Sequence, residues 1–409
     1  MERSRRGDPV RGEDPAVTAW RARQAGLSLV ELMVALVIGT ILMLGVVQVF
    51  GASRASYQLS EGMSRAQENA RFAMDFLQRD IRMAGHFGCV NDQAHAQNTP
   101  SGLRTTFAAP LDPRLDFGMS IQGFEAANSG PGVTLQIVED PVAGAGGFNP
   151  ALPAELAAAT SNRIQGSDIL ALRFLAPEGV PVTAIAGSVT EPRFGFDASR
   201  WDVLRSGTDM PGLYGVADCL HAVVFQASTV DHAAGSIVAG GGALNVNDFV
   251  NGFTDGQSYL HRAESIVYYV GANGRGGASL YRTRFTAEPG GSLGFDRQEM
   301  VEGVENLQLL FGQDRELDPA RPPTGYIDRH RVAADIHTDA TAPGSAGWRR
   351  VGTVQVGLLT ASPERAAAPA AVTGNELRAA GVTYNVPGDG RYRATYQTTV
   401  ALRNRLYGN

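Results

Sequence analysis

The first pattern along the chain is an apolar run from Leu27 to Phe50, in which Glu31 is the only ionisable side chain. As an α-helix the run spans about 36 Å, against about 30 Å for the hydrocarbon core of a bilayer. Six arginines and four acidic residues precede it. This surplus of arginine predicts a cytoplasmic amino end, with the rest of the chain outside the cytoplasm. Residues 27–51 are therefore predicted to form a transmembrane helix.

Beyond residue 51 the apolar positions recur at steps of three and four, which is the spacing of one face of an α-helix. They are Leu59, Met63, Ala66, Ala70, Ala73, Leu77, Ile81 and Ala84. No proline interrupts residues 27–84, so we predict one continuous helix. Gly85 is expected to end it as a left-handed cap. Residues 52–85 form the predicted amphipathic stem.

After residue 85, short apolar runs alternate with glycine- and proline-rich turns, a pattern typical of an antiparallel β domain. The predicted strands are 168–175, 221–226, 265–271, 279–285, 305–312, 352–360 and 393–403. We predict a hairpin at residues 268–285, with positive backbone φ angles at Asn273-Gly274 and Gly276-Gly277. We predict long loops at residues 128–163 and 228–258, which are either partner surfaces or merely mobile. The predicted fold class is α+β, a long amino-terminal helix packed on an antiparallel sheet domain of residues 86–409.

Charge and cysteine content exclude several kinds of protein. The formal charge is −6, there is no lysine, and the arginines are scattered, which argues against nucleic-acid binding. Two cysteines exclude a disulfide-dense scaffold and a cysteine-only zinc site. Cys89 and Cys219 either form one bridge outside the cytoplasm or are buried thiols too far apart to bond. A bridge closing a loop of about 130 residues would stabilise the fold by about 4–5 kcal/mol in the chain-entropy model.

No motif for catalysis or metal binding stands out. The histidines show no metal-ligand spacing and are expected at the surface: His86, His95, His221, His232, His261 (near Glu264), His330 and His337. There is no Gly-x-Ser-x-Gly elbow and no phosphate-binding glycine loop. Residues 245–256 carry oxygen donors suited to calcium at Asn245, Asn247, Asp248 and Asp255. They lack the spacing and closing glutamate of a calcium loop, so neither a metal nor a cofactor is predicted.

The small residues Ala25 and Gly26 precede the apolar run, whereas a secretory signal has its cleavage site after the run. A cut between Gly26 and Leu27 would leave a free amine four residues from Glu31. If such helices packed side by side, that amine could neutralise the carboxylate of a neighbouring subunit. This would offset the cost of about 2.5–3.5 kcal/mol for an ionised side chain in the bilayer. The alternative is a plain signal anchor in which Glu31 snorkels to the interface.

The sequence G-LSLVELMVAL resembles the class III leader of type IV prepilins and of type II secretion pseudopilins. It departs from the usual pattern at Leu27, where most pilins have phenylalanine, and in the length of the leader, residues 1–26. The resemblance implies cleavage between Gly26 and Leu27 by prepilin peptidase and N-methylation of Leu27. It also implies that Glu31 pairs with the amino terminus of another subunit during assembly.

Four further stretches resemble the PilW family of minor pilins: ENARFAMDFLQRDIRMAGHFGC, VEGVENLQLLFGQD, VQVGLLT and TTVALRN. This resemblance implies a pilin-like structural subunit, not an enzyme, that helps to initiate type IV pilus assembly at or near the tip. Implied partners are other minor pilins, the major pilin, prepilin peptidase and a tip adhesin. The implied location is the inner membrane, with the carboxy-terminal domain in the periplasm, and then the extracellular pilus used for twitching motility or adhesion. Two alternatives remain, a pseudopilin J-like subunit of type II secretion and a membrane-anchored extracellular enzyme or binding protein.

Overall fold

A computed structural model of the chain describes residue 26 and residues 28–91, 102–107, 111–245, 249, 252–318, 321–339, 344–366 and 377–405. The chain divides into two compact units, residues 1–54 and residues 55–409. The helices are α1 (Leu29–Met83), α2 (Ala154–Ala159), α3 (Trp201–Arg205), α4 (Ala333–His337) and α5 (Ser345–Arg349). The amino-terminal helix and the strand-rich remainder confirm the α+β class.

The strands of the second unit follow in chain order. They are β1 (His86–Phe87), β2 (Val90–Asn91), β3 (Gly102–Thr105), β4 (Ile121–Ala126), β5 (Thr134–Gln136), β6 (Phe148–Asn149), β7 (Ile169–Leu175), β8 (Val180–Pro181), β9 (Ala184–Gly187), β10 (Pro192–Gly195), β11 (Leu213–Ala217), β12 (His221–Asp231), β13 (Ser236–Ala239), β14 (Tyr259–Ala272), β15 (Ala278–Ala287), β16 (Leu293–Glu302), β17 (Val304–Asp314), β18 (Ile327–Arg331), β19 (Val351–Ala361), β20 (Leu377–Ala379), β21 (Val382–Asn385) and β22 (Arg393–Ala401). All seven predicted strands are confirmed within this set.

Among the described residues, the strands form one large sheet and three small ones. The large sheet runs β6-β4-β7-β14-β11-β12-β13-β10-β9, with β15 and β8 paired to β14, β16 to β15, and β3 to β12. A four-stranded sheet has the order β18-β17-β19-β22, and β20-β21-β5 and β1-β2 form the others. The pairs β3–β12 and β5–β21 are parallel, whereas the remaining pairs are antiparallel.

The main core of the second unit lies where the α1 stem, the large sheet and the four-stranded sheet meet. Alternating residues of one strand belong to different hydrophobic clusters, because successive side chains point to opposite faces of the sheet. In β14, Ile266 and Tyr268 belong to this core, whereas Val267 and Tyr269 belong to a second cluster on the other face. Both faces of β14 are therefore covered, which explains the apolar run of residues 266–270 in its second half.

The predicted hairpin is β14–β15, which pairs from Ile266 opposite Arg284 to Ala272 opposite Ala278. Positive φ is confirmed at Gly274 and Gly276, but the prediction was wrong for Asn273 and Gly277. Asn273 instead accepts hydrogen bonds from the backbone N–H groups of Arg275 and Gly277 through Oδ1. An asparagine side chain can thus close a turn without adopting the left-handed conformation.

The two segments predicted as loops contain regular structure. Residues 128–163 include β5, β6 and α2, and residues 228–258 include the end of β12 and all of β13. These strands are short, or lie at sheet edges with polar residues, so their apolar alternation is weak. The expectation of long structureless connections was therefore wrong for these parts.

Candidate assembly site and the anchoring of the helix stem

The amino end of α1 is closed by a reciprocal pair of hydrogen bonds between Ser28 and Glu31. Ser28 Oγ accepts from the Glu31 backbone N–H at 3.2 Å, and the Ser28 backbone N–H donates to Glu31 Oε2 at 3.0 Å. This is a capping box, which satisfies backbone donors that the first helical turn leaves unpaired. Glu31 also lies in the first turn, where the helix dipole favours a carboxylate. The other carboxylate oxygen, Oε1, makes no hydrogen bond within the described residues.

Gly26 is exposed, and a Cβ atom built on it would have no neighbour within 4 Å among the described residues. Packing therefore gives no reason for a glycine at this position. The predicted cleavage partner, Leu27, lies outside the described residues.

The first unit presents apolar side chains on every face of α1. The large apolar residues from Leu29 to Phe50 are all between 51% and 74% exposed. Within the described residues, α1 is the one helix long and apolar enough to cross a membrane. A surface of this kind requires cover by lipid or by other apolar helices.

The α1 stem in the second unit buries one face, made of Gly62, Ala66, Ala70, Ala73, Met74, Leu77 and Ile81. The predicted apolar face is confirmed at Ala66, Ala70, Ala73, Leu77, Ile81 and Ala84, which are buried, whereas the prediction was wrong for Met63, which is exposed. Gly62 lies so close to Ala366 that a Cβ atom at residue 62 would be 2.3 Å from the Ala366 Cβ atom. A glycine is required there because any side chain would collide with residue 366.

Polar contacts fix the stem at defined points of the sheets. The Asp80 carboxylate accepts a hydrogen bond of 2.7 Å from the Tyr268 hydroxyl and lies 3.4 Å from the Arg282 guanidinium. Burial raises the pKa of Asp80, and the bonds from Tyr268 and Arg282 oppose that rise. At the end of the helix, the Arg82 carbonyl accepts from Asn404 Nδ2 at 2.9 Å. Gly85 then has φ of 74°, so the predicted left-handed cap is confirmed.

The two cysteines meet although they are far apart in sequence. The Sγ atoms of Cys89 and Cys219 lie 2.6 Å apart, and both residues are exposed. The alternative of two distant, buried thiols does not describe this geometry. Cys89 follows the end of α1, and Cys219 precedes β12, so a bond here would connect the helix end to the large sheet.

The predicted surface location is wrong for His261. It is 6% exposed, and its Nδ1 lies 2.8 Å from the Ala176 carbonyl oxygen. His86 packs edge-on against His261 with ring centroids 6.1 Å apart. Burial, with the neighbouring His261, lowers the pKa of His86 to about 4, so both rings serve as neutral packing groups. His95 lies outside the described residues.

The oxygen-rich segment 245–256 is described only in part, and Asn247 and Asp248 lie outside that part. Asn245 is engaged by the fold, because its Oδ1 accepts from Thr106 Oγ1 at 2.6 Å and its Nδ2 donates to the Gln226 carbonyl at 2.7 Å. Over the described ranges there is no group of three or more His, Cys, Asp or Glu residues that could hold a metal ion.

Sequence reasoning missed three residues that shape this site. Ser28 carried a signal, since Ser-x-x-Glu before an apolar run is the sequence of a capping box. Asp80 and Gly62 lie within the predicted stem, but no local pattern distinguishes them from its other residues. Nothing in the local sequence indicates Tyr268 or Ala366 as their partners.

Two family models match this chain. Residues 21–47 match the prokaryotic N-terminal methylation motif, which contains Gly26, Leu27 and Glu31. Residues 267–404 match the type IV pilus-assembly protein W family, over a segment that runs from β14 to the end of β22. No curated protein and no solved structure shows a significant match.

The two matches fit what the units contain. The methylation motif coincides with the exposed apolar part of α1, and together they indicate membrane anchoring. The second match covers the hairpin and the four-stranded sheet that pack on the α1 stem. Proteins of pilus assembly interact with other pilins and with the pilus machinery. Together the two matches support a minor pilin of the type IV pilus that is similar to the PilW family.

Proposed function

We propose that prepilin peptidase cuts this chain between Gly26 and Leu27 and N-methylates Leu27, and that the mature subunit helps to initiate the pilus at or near its tip. Before assembly the subunit is a single-pass inner-membrane protein with its β domain in the periplasm. After assembly it is part of the extracellular pilus. Its role is structural and not enzymatic.

The observation that carries this proposal is the difference between the two parts of α1. Residues 29–50 expose large apolar side chains on all faces, whereas residues 62–81 bury one face within their own domain. The first part is suited first to lipid and then to the apolar helices of other subunits. Packing of this kind makes the major pilin and the other minor pilins the proposed partners, with a large tip adhesin as a further one.

Glu31 has a defined place in this assembly. Its Oε2 is held by Ser28, whereas Oε1 makes no hydrogen bond within the described residues and is free to meet a cation. We assign that role to the methylated amino terminus of an adjoining subunit. The pairing would neutralise both charges in the apolar interior of the filament.

The proposal includes a disulfide bridge between Cys89 and Cys219. The 2.6 Å approach of their sulfur atoms and their exposure support it. The periplasm is an oxidising compartment in which such bonds form.

The experiment that tests cleavage replaces Gly26 by valine. A Cβ atom at residue 26 meets no described residue within 4 Å, so a clash with that part of the chain does not explain a defect in this variant. We expect Gly26→Val to keep residues 1–26 and remain in the inner membrane, whereas wild-type protein from sheared pili begins with N-methylated Leu27. Peptide mass spectrometry of both fractions distinguishes the two forms.

The matched controls are Glu31→Gln and Ser64→Ala. Glu31→Gln should be cut but assemble poorly, because the carboxylate is lost. Ser64→Ala should be cut and assembled, since Ser64 is an exposed residue of α1 outside residues 29–50. Intact pili that contain chains still carrying residues 1–26 would contradict the proposal.

A further inference from the structure

A cleft of about 620 Å³ opens in the second unit between β6 and β18. Its walls include Glu125 at the end of β4, Phe148 of β6, Arg331 of β18 and Asp335 of α4. Its volume lies within the range of about 300–1,000 Å³ that is usual for ligand sites. The cleft is remote in sequence from α1, and the assembly role described above makes no use of it.

Glu125 is a buried acid in the wall of this cleft. The residue is 7% exposed, and its Oε2 has no hydrogen-bond partner among the described residues. Its Oε1 accepts a long bond of 3.4 Å from Ser129 Oγ, and the backbone N–H of Ala333 also lies near the carboxyl and lowers its pKa. Gly130 allows the close approach, because a Cβ atom there would lie 2.8 Å from Oε1. An ionised Glu125 with so few donors is costly inside the protein, so a cationic or donor ligand would stabilise the ionised form.

The neighbouring acid Asp168 has hydrogen-bond donors for both of its carboxylate oxygens. Its Oδ1 accepts from the Ala126 N–H at 2.9 Å, and its Oδ2 accepts from the Leu309 N–H at 2.8 Å. Burial and the charge of Asp168 raise the pKa of Glu125 to about 9. Glu125 therefore carries a proton at neutral pH while the cleft is empty, and a bound cation would displace it.

The basic residues on the opposite wall do not neutralise Glu125. Arg331 is paired with Asp339 at 2.6 Å and donates to Gln313 Oε1 at 3.0 Å. His330 Nε2 lies 3.2 Å from Thr353 Oγ1. Asp335, on the rim, adds a second negative charge that also raises the pKa of Glu125. The groups that face Glu125 thus leave the cleft acidic.

The position of the cleft indicates what kind of molecule enters it. Within the described residues, β6 ends the path of the large sheet and β18 ends the four-stranded sheet, so each has one edge with no further strand beside it. An extended polypeptide can pair with such edges while one of its side chains enters a pocket. A bare metal ion fits less well, because the described residues supply no three-ligand group here.

We propose that the cleft between β6 and β18 binds an extended segment of a partner polypeptide whose arginine or lysine side chain pairs with Glu125. This inference rests on the proposed function only in that a pilus subunit is surrounded by other chains. It adds a contact made by the β domain, separate from the packing of α1 helices. Binding should release a proton from Glu125, so affinity should rise with pH.

The test uses full-length protein in detergent and a pool of acetylated pentapeptides with arginine at the centre and random flanks. A second pool carries citrulline, the uncharged analogue, at the centre. We expect retention of the arginine pool at least about tenfold above the citrulline pool, because a desolvated charge pair is at stake. The preference should disappear in Glu125→Gln and persist in Asp296→Asn, which removes an exposed acid of β16 away from the cleft.

Methylguanidinium serves as the third probe and distinguishes a polypeptide from a small cation. The proposal is supported if the wild-type protein retains the arginine pool and methylguanidinium displaces that pool through Glu125. Equal retention of the two pools, an unchanged preference in Glu125→Gln, or binding of methylguanidinium without binding of peptides would overturn it. These results are independent of leader cleavage at Gly26, so either proposal can fail while the other stands.

Discussion

The hydroxyl of Tyr268, in the middle of β14, donates a 2.7 Å hydrogen bond to the carboxylate of Asp80 on the α1 stem. Both groups are largely buried, and the bond fixes the position of the stem along the sheet. Tyr268→Phe should lower the free energy of unfolding by about 1.5–3 kcal/mol, because it removes a hydrogen bond to a charged group. Urea denaturation of the full chain in detergent measures this loss.

The control for Tyr268→Phe is Tyr326→Phe, which removes a hydroxyl from a side chain that is 73% exposed. The control should leave the free energy of unfolding unchanged. Equal stability of the two variants would show that the hydrogen bond from Tyr268 to Asp80 does not stabilise the fold.

The contact between Gly62 and Ala366 leads to a second prediction. Alanine usually stabilises a helix relative to glycine, by about 0.5–1 kcal/mol. Gly62→Ala should nevertheless destabilise the second unit, by about 1–3 kcal/mol, because the new methyl group collides with residue 366. Ser64→Ala changes an exposed position of the same helix and should be neutral or slightly stabilising. A higher melting temperature for Gly62→Ala than for Ser64→Ala would refute the close approach of residues 62 and 366.

The third prediction concerns Cys89 and Cys219. Protein from the periplasm should be lighter by the mass of two hydrogens than the same protein after reduction, as seen by intact mass spectrometry. Cys89→Ser should lose stability up to about 4–5 kcal/mol in the chain-entropy model. Cys219→Ser and the double variant should lose the same amount, because one bond is removed in every case. Additive losses in the double variant would argue against a bridge.

The fourth prediction is a pH dependence caused by Glu125. Its pKa is raised to about 9 in the folded state, whereas an unfolded glutamate titrates near 4.5. Between these values the folded chain holds a proton that the unfolded chain has lost, so stability should fall as pH rises from about 5 to 9. In Glu125→Gln this fall should be reduced, which melting temperatures across that range can measure.

The control for the pH prediction is Asp296→Asn, which should keep the wild-type decline because its carboxylate is exposed. Asp168 still titrates in the Glu125→Gln variant, and its pKa is raised to about 7 by burial. A smaller decline is therefore expected to remain. Parallel curves for wild type and Glu125→Gln would mean that Glu125 titrates normally.

The helix stem and seven strands followed from the sequence because their signals are strong and local. Strands such as β17 and β19 are long and buried on both sides, so their apolar runs stand out. β16 was missed because it is a polar edge strand, with exposed residues such as Asp296 and Gln298. Strand propensity is weak where one face and one edge meet solvent.

The position of His261 shows why burial of a single polar residue was not foreseen. A histidine in an apolar strand can face either solvent or the core, and the backbone pattern is the same in both cases. The carbonyl of Ala176 satisfies its Nδ1 inside the protein, and that carbonyl comes from a different strand connection. The expectation of a surface histidine could be corrected only from the packed structure.

The amino-acid sequence alone shows the order of leader, Gly26, Glu31 and apolar helix, because each feature depends on neighbours within one or two helical turns. The same holds for the capping box of Ser28 and Glu31, which lie three positions apart. Other features required the folded chain: Asp80 meets Tyr268 across 188 residues, and Cys89 meets Cys219 across 130. The acidic cleft at Glu125 likewise arises only where the edges of two sheets come together. Contacts between distant residues are set by the packing of whole elements, and no local pattern records which elements will meet.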